Sequence, residues 1–385
     1  MFKRLYHIIL MLCTALFVFT SCKDKYDAPQ IESVNNRTVL VYMLADNNLG
    51  YFYDYDKSNI AAMCQSFADK DINGRLLVFH AGSDMQPCLK EIYKTDTEQM
   101  CKVKVLKNYP NAISTDSTTI QQVLNDVKSL APSSNYGLVL WSHATGWLPQ
   151  NRLYTRGRQY ATTSFGREGE HERTIDIDIL ARSLRDTHFD FILFDACLMG
   201  NVETAYELRN VCDYIIATPT ETVGEGFPYY DITHLLFNKE IDYTSICKHY
   251  FDQVSSDAMG GTVTLISTRA LEQLAEACHK IVSEKADEIK SLNPLRIQHY
   301  DRTSTHIFYD LGHYMQAIGG SELYPSVEEA LSQVVVYKAN TNSFINNKIS
   351  HYSGISCYIP YSSNDDVIEE YYQQLQWYKR VYDTH

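Results

Sequence analysis

Apolar runs of strand length, separated by polar turns, recur along the chain after residue 37. They are continuous rather than alternating, which is typical of strands that are buried on both faces of a parallel sheet. Stretches with helical spacing of apolar residues lie between most of them. The predicted strands are 38–45, 75–81, 136–141, 189–194 and 213–218, and the predicted helices are 57–68, 117–130, 176–185 and 201–208.

This alternation of strands and helices predicts an α/β fold. Helices that connect neighbouring parallel strands cover both faces of the sheet, so we expect a three-layer α/β/α sandwich around a mostly parallel sheet. One interruption of the pattern, formed by 88–94 and 103–106, predicts a short hairpin inserted between the second strand and the next helix.

The pattern changes after Pro219, and we place a soft domain boundary near residue 240. Residues 38–240 are expected to form the core, and residues 241–385 a smaller C-terminal α+β region that completes the fold. The predicted helices of that region are 243–256 and 268–292, and its predicted strands are 262–267 and 354–359.

The first residues have the pattern of an export signal. Lys3 and Arg4 precede an apolar stretch at 8–19, and small residues precede Cys22. This order resembles a bacterial lipobox, so we expect 1–21 to be a lipoprotein signal peptide and Cys22 to carry the lipid. The alternatives are an ordinary secretory peptide and an uncleaved anchor, although the apolar stretch is short for a membrane span.

Residues 22–37 are polar and are expected to form a tether between the lipid and the folded protein. The protein is therefore predicted to be an exported bacterial lipoprotein of the outer membrane, facing the periplasm or the cell surface. Lys23-Asp24 resembles the charged export tags of surface lipoproteins in one bacterial phylum, which favours the outer face.

Composition and charge narrow the classes of function. An apolar content of 45% and a charged content of 21% are typical of a globular protein. The formal charge of −13 argues against nucleic acid as the main partner and would attract a cationic substrate. The sequence has no CxxC pair and no HExxH motif, so we expect no metal site, and cysteine spacing alone assigns no disulfide.

Two segments carry candidate chemistry, and each follows a predicted strand directly. Residues 141–147 contain His143, and residues 194–200 contain Cys197. Because the carboxyl ends of parallel strands meet at one edge of a sheet, this thiol and this imidazole can converge despite their separation in sequence. The alternatives are an inert buried cysteine and a core histidine.

Three ordered motifs surround these residues: His143 followed by Gly146-Trp147, the tripeptide Asp195-Ala196-Cys197, and Ala45 to Leu49 at the end of the first strand. Together they resemble the clostripain family of cysteine peptidases. The resemblance implies a caspase-like fold, a cysteine and histidine dyad, and cleavage after Arg or Lys. Ala144 stands where relatives usually have glycine, but that change keeps the backbone N–H.

The chemistry implied for this pair can be stated residue by residue. Cys197 attacks the scissile carbonyl as a thiolate, and His143 activates the thiol and then protonates the leaving amine. The backbone N–H groups of Ala144 and Cys197 are candidate oxyanion donors. A helix predicted from Gly200 would bring its positive end near Cys197 and lower the thiol pKa.

Two acidic residues are candidates for binding a basic side chain. Asp195 lies two residues before Cys197 and, by strand alternation, is expected to point to the same side. The resemblance also implies an acidic pocket residue in the turn 223–227, which matches Glu225. Two carboxylates pair well with a guanidinium, which favours Arg over Lys. The alternatives are an Asp195 that accepts backbone N–H groups and a solvated turn charge at Glu225.

The segment 151–173 is rich in Arg and Gly and has no sustained periodicity, so we expect a long exposed loop. The resemblance implies maturation by cleavage between the histidine and the cysteine, and Arg156 and Arg158 are the candidate processing sites. The alternative is a solvated or partner-binding basic loop.

The cluster Asp46-Asn47-Asn48 follows the first predicted strand. Its side-chain oxygens suit calcium, but there is no EF-hand pattern, and such clusters usually form turns and helix caps. No specific motif supports a cofactor, so we expect none.

The sequence thus predicts a cysteine endopeptidase that acts on peptides or proteins containing basic residues and is held at the membrane by an N-terminal lipid. One alternative is a catalytically silent surface-exposed binding lipoprotein on the same scaffold. A second is acyl transfer to an amine by the same dyad.

Overall fold

The computed structural model describes residues 37–95, 100–150, 165–169, 172–303, 305–363 and 365–383. The expected signal peptide, most of the expected tether, Cys22, Arg156 and Arg158 lie outside the described residues. Among the residues that are described, no helix has both the length and the apolarity needed to cross a membrane.

Strands and helices alternate through the first half of the described chain, as the apolar pattern predicts. The strands are β1 (Thr38–Ala45), β2 (Arg75–Gly82), β3 (Cys88–Lys94), β4 (Cys101–Asn108), β5 (Tyr136–Trp141), β6 (Phe165–Glu168), β7 (Arg173–Ile175), β8 (Phe189–Asp195), β9 (Cys212–Ala217), β10 (Thr262–Ser267), β11 (Tyr309–Asp310), β12 (Val335–Asn340), β13 (Ser343–Phe344), β14 (Asn347–Lys348) and β15 (Ser356–Cys357).

The helices include several of a single turn. The described α-helices are α1 (Asn48–Tyr51), α2 (Tyr55–Asp69), α3 (Ser117–Leu130), α4 (Ile177–Leu184), α5 (Val202–Glu207), α6 (Tyr229–Ile232), α7 (Tyr243–Ser256), α8 (Leu271–Glu284), α9 (Ala286–Ser291), α10 (Leu311–Val334), α11 (Asp366–Tyr372) and α12 (Gln376–Val381). Short 3-10 helices occupy Thr233–Phe237, Thr268–Ala270 and Pro294–Arg296.

A nine-stranded sheet forms the centre of the fold, in the order β12-β10-β9-β8-β5-β1-β2-β3-β4. The five central strands β9, β8, β5, β1 and β2 are parallel. Antiparallel pairs complete both edges, β10 with β12 on one side and the predicted β3–β4 hairpin on the other. The mostly parallel α/β sheet is therefore confirmed.

Both faces of this sheet are covered, as the continuous apolar strands require. Along β1, Leu40 and Tyr42 belong to one buried cluster, whereas Val39 and Val41 belong to a second cluster on the other face. Burial of each large aliphatic side chain contributes about 1.5–3 kcal/mol, so the two clusters are the main source of stability. The predicted three-layer arrangement is confirmed.

The region after residue 240 joins the same sheet, because β10 and β12 extend it beyond β9. At the other end of the described chain, Arg37 is buried, and its Nε donates to Asp190 Oδ2 at 2.7 Å. Arg37, the last residue of the expected tether, is therefore anchored to the folded body.

Several predicted elements differ from the structure. The helix expected at 268–292 is divided into a 3-10 turn, α8 and α9, and only two residues of the strand expected at 354–359 pair in a ladder. Part of the expected 151–173 loop is the β6–β7 hairpin. The segment α10, which is two helices joined across a kink at Gly320 (φ 58°), was not predicted, because Gly320 and Pro325 interrupt the helical pattern.

Candidate active site

His143 and Cys197 follow two neighbouring parallel strands at equivalent positions. Trp141 at the end of β5 pairs with Asp195 at the end of β8, and each candidate residue lies two positions further along its own strand. The backbone N–H of Ser142 continues the pairing by donating to Asp195 O at 3.4 Å. The structure thus brings both residues to the same edge of the sheet, as the parallel topology predicts.

Asn48 contacts the imidazole directly. Its Oδ1 lies 2.6 Å from His143 Nε2, and because an amide oxygen only accepts, Nε2 carries the proton. His143 Nδ1 is then the ring nitrogen with a free lone pair, able to accept a proton from a thiol. The sequence predicts a turn or cap from this Asx cluster but gives Asn48 no role beside His143.

The segment that carries Asn48 is held by its neighbours. Asn47 caps α1 by accepting from Leu49 N at 3.0 Å, which agrees with the expected helix cap. Its Nδ2 also donates to Leu44 O at 2.8 Å and to Arg167 O at 2.9 Å. The Asn47 side chain is thus bonded to backbone carbonyls of β1 and β6, and these bonds hold the adjacent Asn48 in place.

The backbone of His143 is held by the β6 strand. Gly166 N donates to His143 O at 3.0 Å, and Ala144 forms an isolated antiparallel bridge with Phe165.

The pKa of the His143 imidazole is lowered to about 4. Burial is the larger cause, and the nearby Arg167 cation adds to it. The imidazole is therefore neutral at pH 7 and able to act as a base.

The Cys197 thiol packs against the segment that follows β9. Thr222 N donates to Cys197 Sγ at 3.3 Å, and the thiol in turn lies 3.8 Å from Thr222 O. The next residue, Leu198, has φ 61°, an uncommon conformation for a side chain with a Cβ. It is held by a hydrogen bond from Leu198 N to Thr220 O at 2.9 Å.

Burial raises the pKa of the Cys197 thiol to about 12, and Glu221 and Asp195 add to this increase. The expectation of a thiol pKa lowered by a helix end is therefore wrong for this structure. The helix begins at Val202 rather than Gly200, it has six residues, and Asn201 Oδ1 already caps Thr204 N at 2.7 Å. Desolvation of the thiol is the largest cause of its raised pKa.

Across the described part of the chain, no hydrogen bond joins Cys197 Sγ to the His143 ring. The two residues are neutral at pH 7 by the pKa values above. Activation of the thiol therefore requires proton transfer during attack rather than a resting ion pair.

Two backbone N–H groups beside these side chains have no acceptor among the described residues, those of Ala144 and Cys197. The Ala144 bridge uses His143 O and Gly166 N, which leaves Ala144 N out of that ladder. Unpaired donors next to the nucleophile and the base are suited to a carbonyl oxygen that gains negative charge.

Asp195 is buried against the segment after β9. Its Oδ2 accepts from Phe227 N at 3.2 Å and from Tyr229 Oη at 2.9 Å. Burial raises the pKa of Asp195 to about 7, although both hydrogen bonds act in the opposite direction. The carboxyl group is therefore partly protonated near neutral pH.

The expected strand alternation does not extend to Cys197, because β8 ends at Asp195, but the Asp195 carboxylate lies close enough to the thiol to raise its pKa. The hydrogen-bond partner Tyr229 belongs to the second apolar cluster, whereas Cys197 packs against the first. Glu225 is exposed on the tight turn closed by Gly226 N donating to Val223 O at 2.9 Å.

Gly226 follows Glu225 in sequence and lies directly against the Asp195 carboxylate. It has φ 71°, and a Cβ added to it would lie 2.4 Å from Asp195 Oδ2. A side chain at this position would therefore clash with the buried carboxylate, and glycine is the residue that allows the turn to approach it so closely.

A charged pair that the sequence does not predict lies near the thiol. Arg302 Nε donates to both carboxylate oxygens of Glu221, at 3.1 and 3.0 Å. Burial is the main cause of the raised pKa of Cys197. Glu221 raises this pKa further, and Arg302 lowers it. Residues 81 positions apart carry no shared motif, so no signal in the sequence indicates this pair.

Among the described residues, no cluster of three or more His, Cys, Asp or Glu side chains is arranged to hold a metal ion. Asp46, from the Asx cluster, accepts from Tyr51 Oη at 2.6 Å. The imidazole of His143 and the thiol of Cys197, placed at one edge of the sheet, are suited to acid–base and nucleophilic chemistry on an acyl group.

The sequence profile of the clostripain family matches residues 41–384. The chain belongs to the clostripain family. As a family member it is a cysteine peptidase, a hydrolase, and the resemblance found in the sequence is confirmed. No curated protein sequence matches this clostripain-family chain significantly.

Solved structures agree with the family. An inactive zymogen C11 protease from Parabacteroides distasonis is 30% identical, with a TM-score of 0.79, covering 91% of this chain and 99% of that one. A secreted C11 cysteine protease from Bacteroides thetaiotaomicron, in complex with an irreversible peptide inhibitor, is 28% identical, with a TM-score of 0.78 and coverage of 90% and 99%.

A further clostripain from Bacteroides thetaiotaomicron, in complex with the peptide inhibitor BTN-VLTK-AOMK, is 28% identical. It has a TM-score of 0.50 and covers 56% of this chain and 98% of that one. The caspase-like fold expected for the clostripain-family chain is confirmed by these neighbours.

Proposed function

We propose that this clostripain-family peptidase is an exported endopeptidase that cleaves after basic residues through His143 and Cys197. The observation that carries the proposal is the equivalent placement of these two residues after the paired strands β5 and β8. Thiol and imidazole are the two side chains that cysteine-dependent acyl transfer requires.

In the proposed mechanism, the thiol attacks the scissile carbonyl as its proton passes to His143 Nδ1. Asn48 supports this direction of transfer, because it accepts the Nε2 proton and orients the ring. The N–H groups of Ala144 and Cys197 stabilise the oxyanion, and the imidazolium then protonates the leaving amine.

The low imidazole pKa and the high thiol pKa both oppose transfer of the proton from sulfur to nitrogen. They prevent a reactive thiolate from forming before substrate is bound, but they make the first proton transfer unfavourable. Substrate binding must therefore supply part of the driving force, because displacement of water from the site strengthens the oxyanion hydrogen bonds.

The preference for a basic side chain is supported by Asp195 and Glu225. A cationic group above Gly226 would favour ionisation of the buried Asp195 carboxyl, and the exposed Glu225 is adjacent in sequence to that glycine. We propose Arg over Lys, because a guanidinium can bond two carboxylates at once. The peptide letters in the inhibitor name of the Bacteroides thetaiotaomicron clostripain, VLTK, end in lysine, a basic residue.

Export, membrane attachment and maturation are further parts of the proposal. We propose a signal peptide at 1–21, lipidation of Cys22 in the outer membrane, a tether at 22–37, and self-cleavage at Arg156 or Arg158. The catalytic core at 38–240 and the C-terminal region at 241–385 would act as one unit. One of the similar Bacteroides thetaiotaomicron proteases is a secreted protein, which supports export of this chain.

Mass spectrometry of protein treated with a biotinylated arginyl acyloxymethyl ketone tests the proposed function. Wild-type protein is expected to gain one label, located on Cys197, and His143→Ala is expected to label far more slowly. A folded wild type that stays unlabelled would instead favour the silent binding lipoprotein.

A denaturing gel that compares the wild type with Cys197→Ala tests the proposed maturation. Two fragments should appear only in the wild type.

A further inference from the structure

Three consecutive aromatic side chains are exposed at the end of α1. Tyr51, Phe52 and Tyr53 are 53%, 79% and 57% exposed, and we call these three residues the aromatic patch. Within the described residues, the one other exposed Tyr or Phe side chain is Tyr361, so the molecule concentrates such rings here. Contiguous apolar surface that is left exposed commonly marks a binding site.

One end of the aromatic patch is bonded to the residue that contacts the proposed base. Phe52 N donates to Asn48 O at 3.2 Å, and Asn48 Oδ1 lies 2.6 Å from His143 Nε2. Four residues of helix separate the backbones of Asn48 and Phe52 by about 6 Å along the axis. The Phe52 ring continues the patch, because its centroid is 6.5 Å from that of Tyr51.

The other end of the aromatic patch is linked through Tyr55 to the turn that carries Glu225. The rings of Tyr53 and Tyr55 are stacked, with their centroids 5.2 Å apart. The Tyr55 ring lies against Gly224, since a Cβ added to this glycine would be 3.0 Å from Tyr55 Cε2. The patch is thus connected both to the proposed base and to the turn proposed to bind a basic side chain.

We propose that the aromatic patch binds an apolar side chain of the peptide substrate, close to the basic residue after which cleavage occurs. The inference rests on the proposed function, because it extends the same site. Substrate positioned for attack by Cys197 lies beside His143, and the patch continues that surface from Asn48. An extended peptide advances about 3.4 Å per residue, so a patch about 6 Å from Asn48 is within reach of the three residues on either side of the scissile bond.

The chemistry of the aromatic patch favours an apolar partner. Aromatic rings gain free energy when an apolar side chain removes them from water, and they lose little conformational entropy on binding. A lipid surface is another apolar partner for exposed rings, but it does not account for the links to Asn48 and Gly224. The formal charge of −13 also opposes binding to anionic lipid headgroups.

Kinetics of the purified full chain with internally quenched peptides test this inference. Each peptide contains one Arg, with either Phe or Ser at one of the three positions on each side of the scissile bond. At one or more of these positions, we expect the wild type to have about a tenfold higher kcat/KM with Phe than with Ser. Phe52→Ala should reduce this preference to about threefold or less, whereas Phe52→Leu should retain most of it.

Val336→Ala is the matched control. Val336 is also apolar and 51% exposed, but it lies on the edge strand β12, three strands away from β8. This variant is expected to keep the wild-type preference. A peptide with Ser at all the other flanking positions reports on cleavage after Arg alone, and its kcat/KM should be equal in the wild type and Phe52→Ala.

Equal preferences for Phe over Ser in the wild type and Phe52→Ala would overturn the inference. An equal loss on both kinds of peptide would also overturn it, because Phe52 would then act by holding α1 in place. An unchanged preference combined with weaker binding of Phe52→Ala to phosphatidylglycerol vesicles would assign the patch to a lipid surface instead. Failure of the folded wild type to cleave any arginyl peptide would contradict the proposed function itself, and the inference with it.

Discussion

Asn48 Oδ1 accepts a hydrogen bond from His143 Nε2 at 2.6 Å, which leaves Nδ1 as the basic nitrogen. We predict that Asn48→Ala lowers kcat about tenfold to a hundredfold with little change in KM, because it leaves the half-buried ring N–H without its acceptor, at a cost of about 1–3 kcal/mol. Steady-state kinetics with an arginyl peptide would check this.

Asn48→Asp provides the matched comparison, since it keeps the acceptor and adds a negative charge. The charge should raise the pKa of His143 from its low value, so the acidic limb of the kcat/KM profile should move to higher pH. Equal profiles and equal rates for wild type and both variants would exclude a positioning role for Asn48.

Gly226→Ala tests whether the buried carboxylate below this glycine is reached by substrate. The added Cβ would lie 2.4 Å from Asp195 Oδ2, and φ 71° is strained for alanine. We predict a loss of about a hundredfold in kcat/KM for arginyl peptides, roughly the 2.7 kcal/mol of a blocked charged contact. Kinetics and a Tm measurement on the same sample would separate blockage from unfolding.

Gly224→Ala is the control for that experiment. This glycine lies on the same turn without a positive φ, and the nearest atom to an added Cβ is in the Tyr55 side chain at 3.0 Å. Activity should fall much less than in Gly226→Ala. A similar loss in the two variants would indicate that the turn, and not access to Asp195, is what the substitution disturbs.

The Glu221 and Arg302 pair is predicted to tune the reactivity of the thiol. Arg302→Ala leaves Glu221 uncompensated, so the pKa of Cys197 should rise beyond the value set mainly by burial, whereas Glu221→Gln should lower it. At pH 8 the rate of alkylation by iodoacetamide should decrease, several-fold between members, in the order Glu221→Gln, wild type, Arg302→Ala. The reverse order would mean that the pair acts by shielding the thiol.

Asp195 should make the protein less stable as the pH rises from about 4 to 7. Its pKa is about 7 in the folded chain against an ordinary value of 3.8, so the folded state holds a proton that the unfolded state releases in this window. The slope is at most about 1.4 kcal/mol per pH unit. His143 acts in the opposite direction between about 4 and 6.5, because its folded pKa is lowered.

We predict that Asp195→Asn removes the destabilising part of this profile, so its Tm relative to wild type should increase from pH 5 to pH 7. An amide oxygen in place of Oδ2 can still accept from Phe227 N and Tyr229 Oη. Glu225→Gln, on the exposed turn, is the control. A constant Tm difference across this pH range would mean that Asp195 does not titrate there.

The central strands could be predicted closely because burial on both faces leaves a continuous apolar run. The bounds of β1 and β5 agree with the predicted 38–45 and 136–141. The segment α10 could not be predicted, since Pro325 and Gly320 interrupt the apolar pattern of a helix. Tertiary packing overrides the helix-breaking tendency of these two residues.

The candidate site divides in the same way. His143 and Cys197 could be paired from the sequence because parallel strands carry both residues to one edge. The contact of Asn48 with His143 depends on β1 lying directly beside β5, and the sequence does not give that strand order. The direction of the Cys197 pKa shift is set mainly by burial of the thiol, which depends on tertiary packing that the sequence does not show.

Hydrolysis of fluorogenic peptides that differ only in the last residue before the reporter examines both the proposed dyad and the proposed specificity. For the wild type, we predict the highest kcat/KM after Arg, a lower value after Lys, and none measurable after Asn or Asp. Cys197→Ala and His143→Ala should abolish cleavage at unchanged Tm. Preferred cleavage after Asp, or cleavage that persists in a folded Cys197→Ala, would contradict the proposed function.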